Sequence, residues 1–475
     1  MQSVLAVALE AVLERHLERA SPADLGLWSL RGLEVLEPQL HPELQAGTLL
    51  LSGPQQLLAA RPVPTLPSDA PPESAAMPLA VALSALFEAA WRASPALRRA
   101  GAEGMLRSAF EELFNHFDPY SRYLTPAEAR AARIRRIGQA GLGLRLAAGR
   151  GREVVIATLT PNGPAAQAGL REGDRVLAVD GVPVSARELG LAATLLEGPA
   201  DTTVSLRIQR GRRRFDVVLR RILVPPDSVH AEQRDGILWL RIDGFSNATD
   251  RKLATALREG IQPGRTRGVV LDLRGNRGGL LGQAVAVANT FLSSGVVAQT
   301  GGRHPDAVRT YVAGGPDLAE GLPLVVLVDG RSASAAEIVA AALSDRGRAV
   351  VVGSATMGKG LIQAVVPLPN GGELLVTWSR VLAPRGWPIQ GLGVLPELCT
   401  SLGADATAAE LQQLREGNPP MARVLARQRA ARAPVPASEI AALRGACPPA
   451  EGRESDLAAA RALIDMPEAY AAALP

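Results

Sequence analysis

A chain of 475 residues is longer than one hydrophobic core usually organises, and with 47% hydrophobic and 21% charged residues it has the composition of a globular protein of two or three domains. A net charge of +4 is small for this length and the arginines are scattered, which argues against a nucleic-acid partner. Two cysteines, Cys399 and Cys447, exclude a disulfide scaffold and a cysteine-rich zinc module; the five histidines lack metal-ligand spacing, so no metal or other cofactor is expected. One imbalance stands out. Lysine occurs only at Lys252 and Lys359, so 49 of the 51 basic residues are arginine.

Residues 1–60 open with helical periodicity in VLAVALEAVLERHLERA and continue in mixed short segments. Met1 to Leu13 is apolar but lacks a basic start and carries Glu10, which predicts an amphipathic helix rather than an export signal. The Pro-rich run 61–78 has few apolar residues and reads as a linker. Residues 79–137 return to helical spacing and end in DPYSRYLTPAEA, a turn followed by a helix start; this helical region is a candidate homodimer contact. No apolar run reaches the roughly 18 residues of a transmembrane segment.

The period changes in 138–224, where EVVIATL, DRVLAVDG, VSLRIQRG and RFDVVLRR read as short strands, with a hairpin at Arg210–Arg213. In 225–400 strands alternate with helices, which predicts βαβ units and a largely parallel sheet. Residues 401–475 read as an Ala- and Arg-rich helical extension without recognisable chemistry.

Three motifs in 225–400 can carry chemistry. SASAAE follows the apolar strand LPLVVLVDG and opens a helix, so a serine here sits at the carboxyl end of the sheet beside free helix N–H groups that favour developing negative charge. The same Ser334-x-x-Glu337 spacing also makes a plain capping box. MGKG holds Lys359. A surface cation in this chain is expected to be arginine, whereas only lysine can lose its proton when desolvated and act as a general base. Lys252, in TDRKLATALREG, fits an ordinary helix surface. Gln363 lies four residues after Lys359, and a strand period of two would put both on one face, with the amide orienting the amine. The third motif, LDLRGNRGG, lacks nucleotide-binding spacings; its glycines suit an oxyanion hole or a tight turn.

Together these segments resemble the carboxyl-terminal processing peptidases, also called tail-specific proteases, over roughly residues 80–400. The resemblance rests on GLGLRLAAG through TPNGPAAQAGLREGDRVLAVDGVPV, on LDLRGNRGG, SASAAEI and VVVGSATMGKGLIQ, and on GWPIQGLGVLPEL, all in order. It implies an α/β multidomain protein: a helical N-terminal region, a PDZ-like β-rich domain at 138–224, and a βαβ peptidase core of the crotonase/ClpP type at 225–400. The family places its serine 25 residues before its lysine, which selects Ser334 over Ser332. The resemblance implies Ser334 as nucleophile, Lys359 as base, Gln363 as its orienting partner, and the N–H groups of Gly279 and Ala335 as the oxyanion hole. In the PDZ domain it implies that Gly141, Leu142, Gly143 and Leu144 hold the carboxylate of a protein's C-terminal tail, the substrate partner; tail binding there is also expected to uncover the active site.

Met357, Arg277 and Ala336 depart from the family's usual residues, and Arg277, in the glycine turn, matters most because its bulk bears on the oxyanion pocket. Two other readings compete: an idle PDZ scaffold that binds tails without cutting them, and an enzyme resembling acyl-CoA hydratases. By family analogy the location is periplasmic or cell-envelope, with a cytoplasmic one left open by the N-terminus. Cys399 and Cys447 either pair in an oxidising compartment or pack as small hydrophobes.

Overall fold

Three unbroken apolar runs, Gly268–Asp272, Leu324–Val328 and Val350–Gly353, form the middle of a six-stranded sheet in a computed structural model that describes residues 1–160 and 163–474. The sheet runs in the order Val229–Arg234, Ile237–Ile242, 268–272, 324–328, 350–353 and Leu398–Cys399; the first pair is antiparallel and the rest are parallel. Side chains alternate across it. Leu324, Val326 and Val328 enter a core shared with the helices Leu281–Asn289 and Ala335–Asp345. Val325 and Leu327 enter a second core closed by the helices Glu454–Asp465 and Pro467–Ala473. Burial on both faces is why these strands read as continuous hydrophobic runs. The Ala335–Asp345 helix is buried along all 11 of its residues, five of them alanine.

The expected strand–helix alternation holds for this sheet but not for everything between 225 and 400. Leu361–Pro367 and Glu373–Leu382 belong instead to a separate antiparallel sheet with Ser294–Gly301 and Arg309–Gly314. Only residues 368–372 separate the first two strands, enough for a hairpin and too few for the crossover of about a dozen residues that a parallel pair needs.

The helices Gln2–Arg15, Pro22–Leu36, Ala76–Ala93 and Pro95–Asn115 build a third core, which Leu374 and Val376 of the antiparallel sheet join. Between them, segments that looked irregular in sequence pair as a three-stranded antiparallel sheet, His41–Gln45, Thr48–Ser52 and Leu57–Pro62. The Pro-rich stretch is not simply an unpacked linker: Val63 and Leu66 pack against this core, and Ala75 and Ala76 are buried. One helical stretch, Pro72–Ala93, is long and apolar enough to cross a membrane by length and composition, contrary to expectation, but its Leu79, Leu83, Leu86 and Phe87 are buried in the protein core. At the other end of the chain, Cys399 and Cys447 form a disulfide.

These elements make one compact unit, Met1–Ala132, Val229–Phe245 and Thr249–Pro475; a second comprises Arg133–Ser228 and Ser246–Ala248. The second unit has its own core, including Leu142, Ile156, Val176 and Leu206. Its sheet is antiparallel, in the order Arg213–Arg220, Thr203–Arg210, Arg175–Val179, Val154–Leu159 and Leu144–Ala148, with the expected hairpin turning at Gly211 and Arg212. Leu144–Ala148 is an edge strand, and the helix Leu189–Leu196 lies against it.

Candidate active site

Parallel strands deliver their following loops to one end of a sheet, where α/β proteins place ligands. Here the loops after 268–272, 324–328 and 350–353 carry the glycine turn, the serine and the lysine. The serine loop is fixed from below. Asp329 Oδ1 accepts from the backbone N–H groups of Gly275 (2.9 Å), Arg331 (3.0 Å) and Ser332 (2.9 Å). Ser332 is fully buried and its Oγ donates to Leu273 O at 2.8 Å, so this serine is part of the scaffold. Ser334, two residues on, is partly exposed and has φ 56° and ψ −113°. A non-glycine residue in that region carries strain of about 1–3 kcal/mol, which persists only where surrounding bonds over-determine it.

The glycine turn closes over the serine. Buried Asn276 donates from Nδ2 to Ile242 O (2.7 Å) and accepts from Gly278 N (2.8 Å), while its own carbonyl accepts from Ala333 N (2.9 Å). Gly278, at φ 95°, approaches so closely that a Cβ there would lie 2.8 Å from Ser334 Cβ and 3.0 Å from Ala335 N. A Cβ at Gly279 would meet Phe245 O at 2.0 Å. Among the described residues neither Gly279 N–H nor Ala335 N–H has an acceptor, and Ala335 N–H is the first of its helix. Arg277 is exposed and has no hydrogen-bond or ion-pair partner among the described residues.

Glu337 ties the serine loop to the lysine loop. Its fully buried carboxylate accepts from Ser334 N (2.7 Å) and Lys359 N (2.9 Å) on Oε2, and from Gly358 N (2.6 Å) and the Thr356 hydroxyl on Oε1. Burial pushes its pKa above the ordinary value, against the lowering effect of these hydrogen bonds. The sequence pattern shows Glu337 only as half of a capping box; its other partners lie 19 to 22 residues away.

The Lys359 amine is partly buried, and burial pulls its pKa below the ordinary lysine value. Arg122 adds to that depression, while Glu337 and Asp118 oppose it. Nζ sits 4.8 Å from the centre of the Tyr120 ring and makes no hydrogen bond or ion pair among the described residues. Gln363 does not meet it. Its Nε2 donates to Thr377 Oγ1 (3.1 Å) and Leu361 O (3.3 Å). The strand begins only at Leu361, and its pairing shifts register between Ile362 and Gln363, so alternation cannot be carried back to Lys359.

Behind Gln363 lies Asp118, which sequence reasoning passed over inside DPYSRYL. Its Oδ1 accepts from Thr377 Oγ1 (2.8 Å), Tyr120 N (2.8 Å) and Ser121 N (2.9 Å), and its Oδ2 from Ser121 Oγ (2.6 Å); His16 Nε2 lies 3.1 Å from Oδ2. Burial alone would raise the Asp118 pKa, but bonds from His16, Ser121, Thr377 and the Tyr120 backbone hold it far below the usual carboxylate range.

In the second unit, Gly143 (φ 69°) turns the chain between Gln139–Gly141 and the edge strand. Leu142 is buried, its carbonyl accepts from Ala165 N (3.0 Å) and that of Gly143 from Thr160 N (2.8 Å). The N–H groups of Leu142 and Gly143 have no acceptor among the described residues. Leu144 pairs with Leu159 at the start of the edge strand.

A strained serine turn beside unpaired N–H groups, tied through Glu337 to the loop of a partly buried lysine, is an arrangement suited to acyl transfer. The family model for peptidase family S41 matches residues 236–399, and that for the PDZ domain matches 155–210. A carboxy-terminal-processing protease of Bartonella bacilliformis is 33% identical over 300 residues, covering 62% of this chain and 69% of the relative. A carboxyl-terminal-processing protease of a Picosynechococcus species is 34% identical over 290 residues, covering 59% and 69%. Among solved structures, a photosystem II D1 C-terminal processing protease is 30% identical, with 68% of this chain and 98% of that one covered and a TM-score of 0.38. The chain belongs to the carboxyl-terminal-processing proteases, serine-type peptidases, and it carries a PDZ domain. The resemblance read from the sequence is thereby borne out, and the idle-scaffold and hydratase-like readings fall away.

Proposed function

We propose that the chain cuts protein substrates near their C-termini with Ser334 as nucleophile and Lys359 as general base. The observation that carries this reading is Glu337 Oε2, a single oxygen bonded to the backbone N–H of both Ser334 and Lys359, which keeps the two residues adjacent. Lys359, as the free amine, takes the Ser334 hydroxyl proton while Oγ attacks the scissile carbonyl. The oxyanion is met by the Gly279 and Ala335 N–H groups. The resulting ammonium protonates the leaving amine, the C–N bond breaks, and an acyl-enzyme forms. Water then attacks the ester with Lys359 again accepting a proton, and Ser334 is regenerated.

The PDZ domain supplies the tail selection in this proposal. A C-terminal peptide adds to the free edge of Leu144–Ala148, and its carboxylate is held at Gly141–Leu144 by N–H groups such as those of Leu142 and Gly143. The Cys399–Cys447 disulfide supports work in an oxidising compartment such as the periplasm. Counting thiols on unfolded, unreduced protein checks this, since two free thiols would remove that support. The dyad is tested by cleavage of tail peptides: wild type cuts, and Ser334→Ala and Lys359→Ala do not. Cleavage retained in either variant rejects it.

A further inference from the structure

The segment Asp118–Arg122, in the N-terminal part of the chain, surrounds a lysine about 240 positions later with three kinds of group. Tyr120 presents its ring face to Lys359 Nζ at 4.8 Å. Arg122 opens the strand Arg122–Leu124, and its positive charge is one of the causes that pull the Lys359 pKa down. Asp118 holds the segment in place through Ser121, whose Oγ also accepts from Thr377 N at 2.9 Å. The strand itself pairs with Glu373–Leu382, with Arg122 opposite Leu375. The segment is therefore anchored on the same strand that holds Gln363 through Thr377.

We infer that Tyr120 and Arg122 are positioning residues for Lys359: the Tyr120 ring holds the amine in the resting enzyme, and Arg122, on the strand that anchors the same segment, sets the charge beside it. This inference rests on the reading of Lys359 as the base. An aromatic face attracts an ammonium and so fixes where the amine lies, at the expense of favouring its charged form. A neighbouring cation opposes that charge, as in lysines activated by a second cationic group. The charged groups around the amine are Arg122 from the strand, Asp118 from the turn before it and Glu337 from the helix behind the serine. Arg122 is the cation among them; its side chain makes no hydrogen bond or ion pair among the described residues, and the Glu128 carboxylate also feels its charge. Gln363, which sequence reasoning made the orienting partner, is linked to Tyr120 only through Thr377 and Asp118.

The scarcity of lysine makes the test direct. Full-length protein labelled with [13Cε]lysine gives two signals, from Lys252 and Lys359, and Lys252→Arg assigns them. Arg122→Gln is expected to raise the Lys359 titration midpoint by about half to one pH unit, and Arg122→Lys to leave it in place. Tyr120→Leu is expected to lower the midpoint by about half a unit and Tyr120→Phe to preserve it. In peptide cleavage, Tyr120→Leu should lose about ten-fold or more in kcat with KM little changed, and Arg122→Gln should move the acid limb of the pH profile upward with the high-pH plateau kept. Unmoved midpoints in both Arg122→Gln and Tyr120→Leu overturn the inference, as does a midpoint shift in Tyr120→Phe equal to that in Tyr120→Leu. If Tyr120→Leu does not fold, the Arg122 pair and Tyr120→Phe decide. Cleavage retained in Lys359→Arg rejects the dyad instead, and the midpoints still report on the holding contacts.

Discussion

The parallel sheet and the antiparallel sheet contribute to the site by different means. From the parallel sheet come backbone groups: the strained turn at Ser334, the N–H groups of Gly279 and Ala335, and a loop fixed by Asp329, Asn276 and Glu337. From the antiparallel sheet and the segment paired to it come side chains: Gln363, Thr377, Asp118, Tyr120 and Arg122 grouped around or behind one amine. The first half tolerates almost no change of volume, because glycines there face backbone at contact distance. The second is an electrostatic setting, in which a substitution changes charge state before it changes shape. In the proposed mechanism the centre is thus rigid where it would meet the oxyanion and adjustable where it would move the proton.

The largest expected effect removes the proton acceptor while keeping its charge. Lys359→Arg should be as inactive as Lys359→Ala, with a fall of about 10⁴-fold or more in kcat, since guanidinium does not deprotonate. Substantial peptidase activity in Lys359→Arg would break the distinction between the two halves. Gly278→Ala attacks the backbone half. With a Cβ 2.8 Å from Ser334 Cβ and φ at 95°, it should cost about 100-fold or more in kcat and about 1–3 kcal/mol in denaturant stability.

Asp118→Asn sharpens the side-chain half. The Asp118 pKa is lower folded than unfolded, so its contribution is fully present above the unfolded value of about 3.9 and is lost as pH falls through the folded value. Asp118→Asn should therefore be less stable than wild type at pH 7 by about 2 kcal/mol, a gap that closes toward strongly acid pH in denaturant titrations. A gap independent of pH would mean that the carboxylate charge is not what holds the segment. Ser332→Ala is the smallest change. It should lower stability by about 1–2 kcal/mol and leave kcat near wild type, because Ser332 Oγ serves only the loop beneath Ser334.

What the sequence made readable follows the same division. Ser334 and the glycine turn are local features, each compressed into a few consecutive residues after a fully buried strand, and their hydrophobic run and small-residue turn survive in the linear text. Lys359 was legible for another reason, the near absence of lysine elsewhere. The partners of that lysine were not. Gln363 was assigned to its face by a period of two that a register shift and two non-strand residues interrupt. Tyr120, Asp118 and His16 come from the helical N-terminal region, and nothing local in DPYSRYL announces a lysine far along the chain. Gly278, the residue that touches Ser334, was one glycine among several in its turn. The second sheet was hidden because strand propensity does not say which strand a strand joins.

The buried alanine-rich helix behind Ser334 has a mechanical consequence. A helix with no solvent face and alanine at five of its eleven positions acts as a stop wedged between its neighbours, and its first N–H inherits their immobility. Adding two methyl carbons midway along it, as in Ala340→Val, would push against close-packed atoms on every side and displace the helix's first N–H about one turn and a half away. Small residues in this helix thus set the aim of the proposed oxyanion donor from a distance, and a change that looks like routine core variation would register first as a loss of turnover.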